Sequence, residues 1–396
     1  MKLFWPIEMG FEQAIEEINM NSTFTPFDKE VLLFTQALSK TLVRMRQMPE
    51  VVALGYWLRK ANIQEMKVKW EEQNKERFIK PRGTVFHIAP SNVDTIFVYS
   101  WMLSLLAGNR NIIRVSGKGH SNVLLDLILT ELAKPEFEKI AKQTIICTYN
   151  YDEKFGEMIS EICHTRVIWG GNDTVQTIRQ IQLNPMANEL AFPDRFSLAA
   201  ISAEAVLNLG ENELNELLDK FYNDVFWFDQ MACSSPRLIA WCGKQHEKAK
   251  VRFWSAFENK VKNKRYELMA ATQVLKYTTS LWLSTETDVR DIENGKYFSR
   301  VHVVDVPIEA RERHCGGGLF FEYDVEHLSD LSKVIIDKDQ TLAYFGFEHS
   351  TLQVLVDSIS TRGLDRIVPI GQALNFDGVW DGQSFLKSFT REVVII

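Results

Sequence analysis

Chemistry in this chain is first suggested by FWFDQMACSSPR, residues 226 to 237, where Cys233 follows an aromatic run and precedes two serines and a proline. A cysteine is ordinarily a small buried hydrophobe, and to read it as a nucleophile the rest of the sequence must supply the partners a nucleophile needs. Three strand-to-turn segments could serve it. HIAPSNVDT, from His87, carries Ser91 and Asn92 at the head of a helix, where Asn92 is either a helix cap or an oxyanion donor. GNRNIIRVSGK, from Gly108, brings Arg114, Ser116, Lys118 and His120 close together, as a solvated positive patch or a clamp for an adenosine phosphate. IWGGNDTVQTIRQI, from Ile168, runs an apolar strand into Gly170 and Gly171, as a tight turn or as backbone that a phosphate can approach.

HCGGGLFFE, from His314, adds three consecutive glycines that imply flexibility or close backbone approach near a ligand. His87, His164 and His314 lack metal or triad spacing and are read as structural; no metal is expected. GxGxxG, GxxxxGK[ST], GxSxG and HExxH do not occur, which argues against a regular dinucleotide fingerprint, a P-loop, a hydrolase elbow and a zinc protease.

The elements that must position these residues change character along the chain. The first 80 residues read as helical, with Val31, Leu32, Phe34, Leu38, Leu42 and Val43 at roughly helical spacing. From Gly83 onward, TVFHIA, NIIRVS, TIICTY, RVIWGG and SLAAIS read as strands alternating with amphipathic helices, the pattern of a parallel sheet. TIFVYSWMLSLLAGN, Thr95 to Asn109, is too short to cross a bilayer and reads as a buried helix begun by Ser91 or Asn92 and ended by Gly108. A second α/β texture follows: helix ENELNELLDKFYNDVFWF, the Cys233 loop, then strands RLIAWC, VHVVDV and TLAYFGF. We expect three parts: helices and a dinucleotide-binding domain over 1–200, a catalytic cysteine domain over 201–365, and a segment over 366–396 that completes the site and contributes to an oligomer interface.

Composition narrows the partners. The 396 residues are 45% hydrophobic and 24% charged, with a net charge of −7 and no basic stripe interleaved with aromatics, so nucleic acid is not expected. Five cysteines without CxxC spacing suggest neither a disulfide framework nor a zinc site and fit a reducing cytoplasm. The N-terminus lacks the pattern of a signal peptide, and no membrane span is expected. The tail SFTREVVII ends in four apolar β-formers that need a partner strand in this chain or a neighbour, from which a homo-oligomer is expected.

Taken in order, these blocks resemble the aldehyde dehydrogenase superfamily, and QMACSSPR with GLDRIVPIGQALNFDGVWDG resembles its acyl-CoA reductase branch, typified by the luminescence fatty-acid reductase subunit (LuxC). The resemblance runs from about Gly83 to the last residues. It implies a Rossmann-type parallel-sheet cofactor domain plus a second α/β catalytic domain. It also implies Cys233 as nucleophile and Asn92 as oxyanion donor, with Ser91, Arg114, Ser116, Lys118, Gly170 and Gly171 holding the cofactor.

The position where the superfamily commonly has an acidic ribose ligand falls at about Gly117, which removes a charge hostile to a 2′-phosphate and favours NADPH. Glu189 falls within about one position of the superfamily's catalytic glutamate, without the glycine pair that normally follows. The reading is therefore reduction of an acyl thioester to an aldehyde, the acyl donor being acyl-CoA or an acylated partner protein such as an acyl-protein synthetase subunit. Two alternatives stand beside it: oxidation of a small aldehyde with Glu189 as base, and a non-catalytic carrier-binding subunit.

Overall fold

The computed structural model describes residues 1–90, 95–116, 123–150 and 154–396. The chain forms two compact units, Met1–Asp194 with Phe376–Ile396, and Arg195–Asn375.

In the first unit the strands are β1 (Lys2–Trp5), β2 (Phe78–Pro81), β3 (Thr84–Ile88), β4 (Arg110–Arg114), β5 (Thr144–Thr148), β6 (Thr165–Trp169) and β7 (Asn188–Phe192). All except β2 build one sheet in the order β1-β5-β4-β3-β6-β7, parallel apart from the antiparallel edge strand β1. Every residue of β3 and β6 is buried, as expected of strands covered by helices on both faces, and this explains why they read as continuous apolar runs rather than as alternation. The strand order reverses at β3, which lies between β4 and β6; this leaves a crevice at the carboxyl ends of β3 and β6, the usual place for a ligand in such a sheet.

Helix Thr95–Leu106 packs behind this sheet with eleven of its twelve residues buried, so its lack of polar punctuation reflects burial on all sides. Helix Lys29–Leu42 is capped by Asp28, whose carboxylate accepts from the Glu30 amide at 2.9 Å, and buries Val31, Phe34, Leu38 and Leu42. The N-terminal region also contains helices Phe11–Met20, Pro49–Trp57 and Lys60–Gln73, so the helical reading holds there except for β1 at its front and β2 at its end.

The second unit contains β8 (Phe196–Ser202), β9 (Pro236–Cys242), β10 (Val289–Asn294), β11 (Ser299–Val303), β12 (Leu319–Val325), β13 (Asp339–Phe345) and β14 (Arg366–Pro369). They form a sheet in the order β10-β11-β12-β9-β8-β13-β14, parallel except for β10. Two cores flank it. One is aromatic, with Phe221, Trp241, Phe253, Trp254, Phe257 and Phe320; the other is aliphatic, with Leu198, Leu238, Val301, Leu331 and Leu342 among its members.

The chain then returns to the first unit through the short pair β15 (Val379–Trp380) and β16 (Gln383–Ser384) and ends with β17 (Thr390–Val393). β17 pairs antiparallel with β2, setting Thr390 against Pro81 and Val393 against Phe78. The tail thus finds its partner strand within its own chain, while Val394, Ile395 and Ile396 beyond it are exposed.

Candidate active site

In the second unit the Cys233 loop joins helix Glu211–Phe226 to β9 and lies at the amino-terminal edge of the sheet. Two consecutive non-glycine residues with positive φ, Asp229 at 50° and Gln230 at 62°, turn the chain off the helix. Each such residue costs on the order of 1 kcal/mol, so the surroundings must hold the turn in place.

The hold is supplied by Gln230, which is fully buried. Its Nε2 donates to the Pro236 carbonyl at 2.8 Å, its Oε1 accepts from the Gly318 amide at 3.0 Å, and its own amide donates to the Val225 carbonyl at 2.7 Å. Gln230 thereby ties both ends of the cysteine loop to the triple glycine. A second tie is the Gly317 amide donating to the Asp229 carbonyl at 2.7 Å.

Within the loop Cys233 is half-buried and its carbonyl accepts from Ser197 Oγ at 2.6 Å, while Ser234 and Ser235 are buried. Cys147, Cys163 and Cys242 are buried, and burial pushes each thiol up to about 12, which makes them inert at neutral pH. Cys315 is half-buried, but burial raises its thiol as well.

The floor of the loop is cationic. Arg237, only 6% exposed, directs its guanidinium toward the carbonyls of Gln230, Met231 and Arg195 at 3.4 to 3.5 Å and lies over the Phe196 ring. His314 is neutral: burial, then the neighbouring Arg237, holds its pKa well below the usual value. The Gly316 amide donates to His314 Nδ1 at 3.1 Å, so the ring proton is on Nε2, which donates to the Leu319 carbonyl at 2.9 Å. His314 therefore shapes the glycine loop. Gly316, Gly317 and Gly318 all have positive φ, at 69°, 63° and 78°, and their close approach is to this chain's own loop and helix.

In the first unit the glycine turn after β6 lies at the crevice. Gly170 donates its amide to the Phe192 carbonyl at 3.3 Å, and Gly171 is the N-cap of helix Asn172–Arg179. A Cβ on Gly171 would meet nothing within 4 Å, so the backbone there is open to an outside group at a helix N-terminus. Arg114 ends β4, flanked in register by Ile88 and Cys147; its guanidinium donates to the Tyr149 carbonyl at 3.2 Å and lies over the Tyr149 ring. Ser116 follows it, half-buried. The open glycine backbone and the guanidinium, both at the carboxyl edge of one parallel sheet, fit the phosphate and ribose portions of a dinucleotide. Ser91, Asn92, Gly117, Lys118 and His120 lie outside the described residues.

Of two other residues, His87 is structural as its spacing suggests, and Glu189 is engaged by cations. His87 is buried between Ser100 Oγ at 2.8 Å and Asn111 Oδ1 at 3.0 Å, and burial lowers its pKa to about 4, so it is a neutral core bridge. Glu189 is on β7 with both carboxylate oxygens engaged: Arg166 donates to Oε2 at 2.9 and 2.5 Å, and Arg179 to Oε1 at 2.8 Å. A carboxylate held by two guanidiniums is poorly placed to accept a proton from water, which argues against it as the base of an aldehyde-oxidising reaction. No helix among the described residues is long and apolar enough to cross a membrane.

Comparison with known proteins bears on the family and the fold. The model of the acyl-CoA reductase (LuxC) family matches residues 27–266, well over half of the chain and inclusive of Cys233. The chain belongs to that family. The match begins earlier than the resemblance in the sequence, within the N-terminal helices, and stops before GLDRIVPIGQALNFDGVWDG.

A long-chain acyl-protein thioester reductase of Photorhabdus laumondii is 22% identical over 315 residues, covering 76% of this chain; the chain spans 61% of that relative's length. Among solved structures, aldehyde dehydrogenase 21 from Physcomitrella patens, in complex with the product succinate, superposes with a TM-score of 0.66 at 12% identity, over 97% of this chain and 90% of its own. Methylmalonate-semialdehyde dehydrogenase from Oceanimonas doudoroffii gives 0.66 at 12% identity over 96% and 89%. The fold is that of the aldehyde dehydrogenase superfamily.

Proposed function

We propose that this protein reduces an acyl thioester to an aldehyde with NADPH, through an acyl group carried on Cys233. The observation that carries the reading is Cys233 itself: a half-buried thiol in a loop pinned by Gln230, within the segment that matches the acyl-CoA reductase family.

The Cys233 thiolate attacks the thioester carbonyl, forming a carbon–sulfur bond, and the oxygen that takes the negative charge accepts from the Asn92 amide and a backbone N–H of the loop. Collapse expels the carrier thiol and leaves the acyl group on Cys233. When bound, reduced nicotinamide supplies the hydride that converts this acyl thioester toward the aldehyde, and Cys233 departs as thiolate. Arg114, Ser116, Lys118 and Ser91 bind the nucleotide, with Gly170 and Gly171 leaving room for its pyrophosphate. Gly117 in place of an acidic ribose ligand, between two cations, supports NADPH over NADH. With Glu189 engaged by Arg166 and Arg179, no water is activated there and the acyl group survives until it is reduced.

The acyl donor is a long-chain thioester on CoA or on an acylated partner, in line with the acyl-protein substrate in the name of the Photorhabdus relative. Five cysteines without a disulfide suit a reducing cytoplasm. The test is NADPH and NADH oxidation with acyl-CoA esters of graded length, for wild type and Cys233→Ala, with a mass measurement for acyl on Cys233. Cysteine-dependent aldehyde formation supports the proposal; acyl transfer to Cys233 without cofactor oxidation, or turnover in Cys233→Ala, rejects it.

A further inference from the structure

At the carboxyl edge of the second unit's sheet, opposite the Cys233 loop, three elements bring together side chains that thioester chemistry does not use. They are His246 and Glu247 in the first turn of helix His246–Asn263, His302 near the end of β11 and Asp324 near the end of β12, a grouping that spacing along the chain does not reveal. Gly243, whose φ is 104°, donates its amide to the Val325 carbonyl at 3.0 Å, and its own carbonyl lies 3.0 Å from His246 Nδ1. A carbonyl only accepts, so the proton of the neutral ring is on Nδ1 and Nε2 presents a lone pair. That lone pair faces two carboxylate oxygens: Glu247 Oε1 and Asp324 Oδ2 are each 3.5 Å from Nε2, and all three groups offer atoms within 4.8 Å of one another.

Three acceptors facing one another call for a positive charge between them. A proton on Nε2 serves poorly, since 3.5 Å is too long for a good hydrogen bond to either oxygen. The same distance is close to the edge of a zinc tetrahedron, about 3.4 Å for metal–ligand bonds of about 2.1 Å. Both Asp324 oxygens are buried and neither has an aligned donor, although His302 Nε2 lies 2.7 Å from Oδ2 and Lys250 Nζ 2.7 Å from Oδ1. We propose that His246 Nε2, Glu247 Oε1 and Asp324 Oδ2 bind a zinc ion, with water in the fourth position. An imidazole with two carboxylates suits Zn²⁺ better than Mg²⁺ or Ca²⁺, which favour oxygen alone. His302 and Lys250 steady the Asp324 carboxylate from outside, as outer partners do in protein metal sites. Lys250 is also 3.1 Å from Glu247 Oε1, and Arg290 Nη1 is 3.7 Å from Asp324 Oδ2; these two cations weaken the affinity, so the ion binds reversibly. The ion clips helix His246–Asn263 to β12. The seven residues of β12 span roughly 20 Å between this edge and the triple glycine, so the ion stabilises the unit and takes no part in the reaction.

Zinc uptake by the metal-stripped full chain, measured by equilibrium dialysis with the urea midpoint as a second readout, tests this. Wild type should take up Zn²⁺ and gain in urea midpoint, with no gain from Mg²⁺. Glu247→Gln, at a position 72% exposed, should weaken binding about tenfold and leave the metal-free midpoint at the wild-type value. His246→Ala should weaken binding about a hundredfold or more. Cys233→Ala should keep one Zn²⁺ per chain, and Co²⁺ bound there should show no thiolate charge-transfer band, which separates this site from the thiols. No uptake, uptake indifferent to both Glu247→Gln and His246→Ala, or uptake lost in Cys233→Ala would each overturn the proposal.

Discussion

Two glycine loops, Gly170–Gly171 in the first unit and Gly316–Gly318 in the second, use the same residue for opposite ends. Gly171 has a φ of −66°, which any residue adopts, and the space where its side chain would stand is open. Gly317 has a φ of 63°, and a Cβ there would fall 2.2 Å from Thr272 Cγ2. One glycine leaves its backbone open; the other lets the chain touch itself. A run of glycines in a sequence therefore does not say whether a ligand is near, and here the longer run is the one that serves packing.

Substitutions sharpen this contrast. The largest effect belongs to neither loop: Cys233→Ala should lower thioester reduction about a thousandfold or more with an unchanged urea midpoint, since it removes the nucleophile from an intact frame. Next is Gly317→Ala, expected to cost roughly 2 to 4 kcal/mol through positive φ and overlap with Thr272, read as a lower urea midpoint together with lost activity. If Gly317→Ala were as stable as wild type, the packing role of that loop would be wrong.

Gln230→Ala leaves the Gly318 amide and the Pro236 carbonyl without their buried partner and should cost about 2 kcal/mol. Gly171→Ala should leave stability within about 0.5 kcal/mol, or slightly raise it, while raising the KM for NADPH about tenfold. An unchanged KM would break the distinction between the two loops.

A further effect is a pH dependence. Lys276 is buried and burial lowers its pKa to about 8, below the unfolded value near 10.5. The unfolded chain then binds the extra proton between these values, so this group's contribution to stability rises with pH from about 8 to 10.5. Lys276→Met should be more stable than wild type at pH 7, with the gap closing as pH rises, in urea titrations across that range.

Much of the scaffold was legible because its strands are short, apolar and bounded by turn residues. TVFHIA, RVIWGG, SLAAIS and RLIAWC became β3, β6, β8 and β9, close to the limits read from the sequence. Of the strands that escaped notice, β12, LFFEYDV, has that signature and was read only as the flank of the triple glycine, whereas β1, β7 and β10 lack it. β7, NELAF, opens on an amide and a carboxylate, and its pairing with β6 is supported by the Glu189–Arg166 bridge between residues distant in sequence. β10, VRDIEN, is an edge strand whose charges hide it, and β1 is a short strand that pairs with β5 well over a hundred residues away.

At the candidate site, residue type marked Cys233 and Gly171 because the proposed chemistry needs a thiol and open backbone there. Gln230, Arg237 and the neutral state of His314 were not visible, since a buried amide that braces two loops has the same letter as an exposed one.

The return of the chain to its first unit carries a consequence for biogenesis. β17 pairs with β2 across more than three hundred residues, and the Asn109 side chain donates to the Phe389 carbonyl at 3.0 Å, so the first unit is closed by residues made after the second. The second unit is contiguous, from Arg195 to Asn375, and can be completed on the ribosome while the first still lacks its closing strand. During synthesis the early-born half is thus the one that waits, and the window in which β2 stands unpaired lasts until the whole second unit has been made.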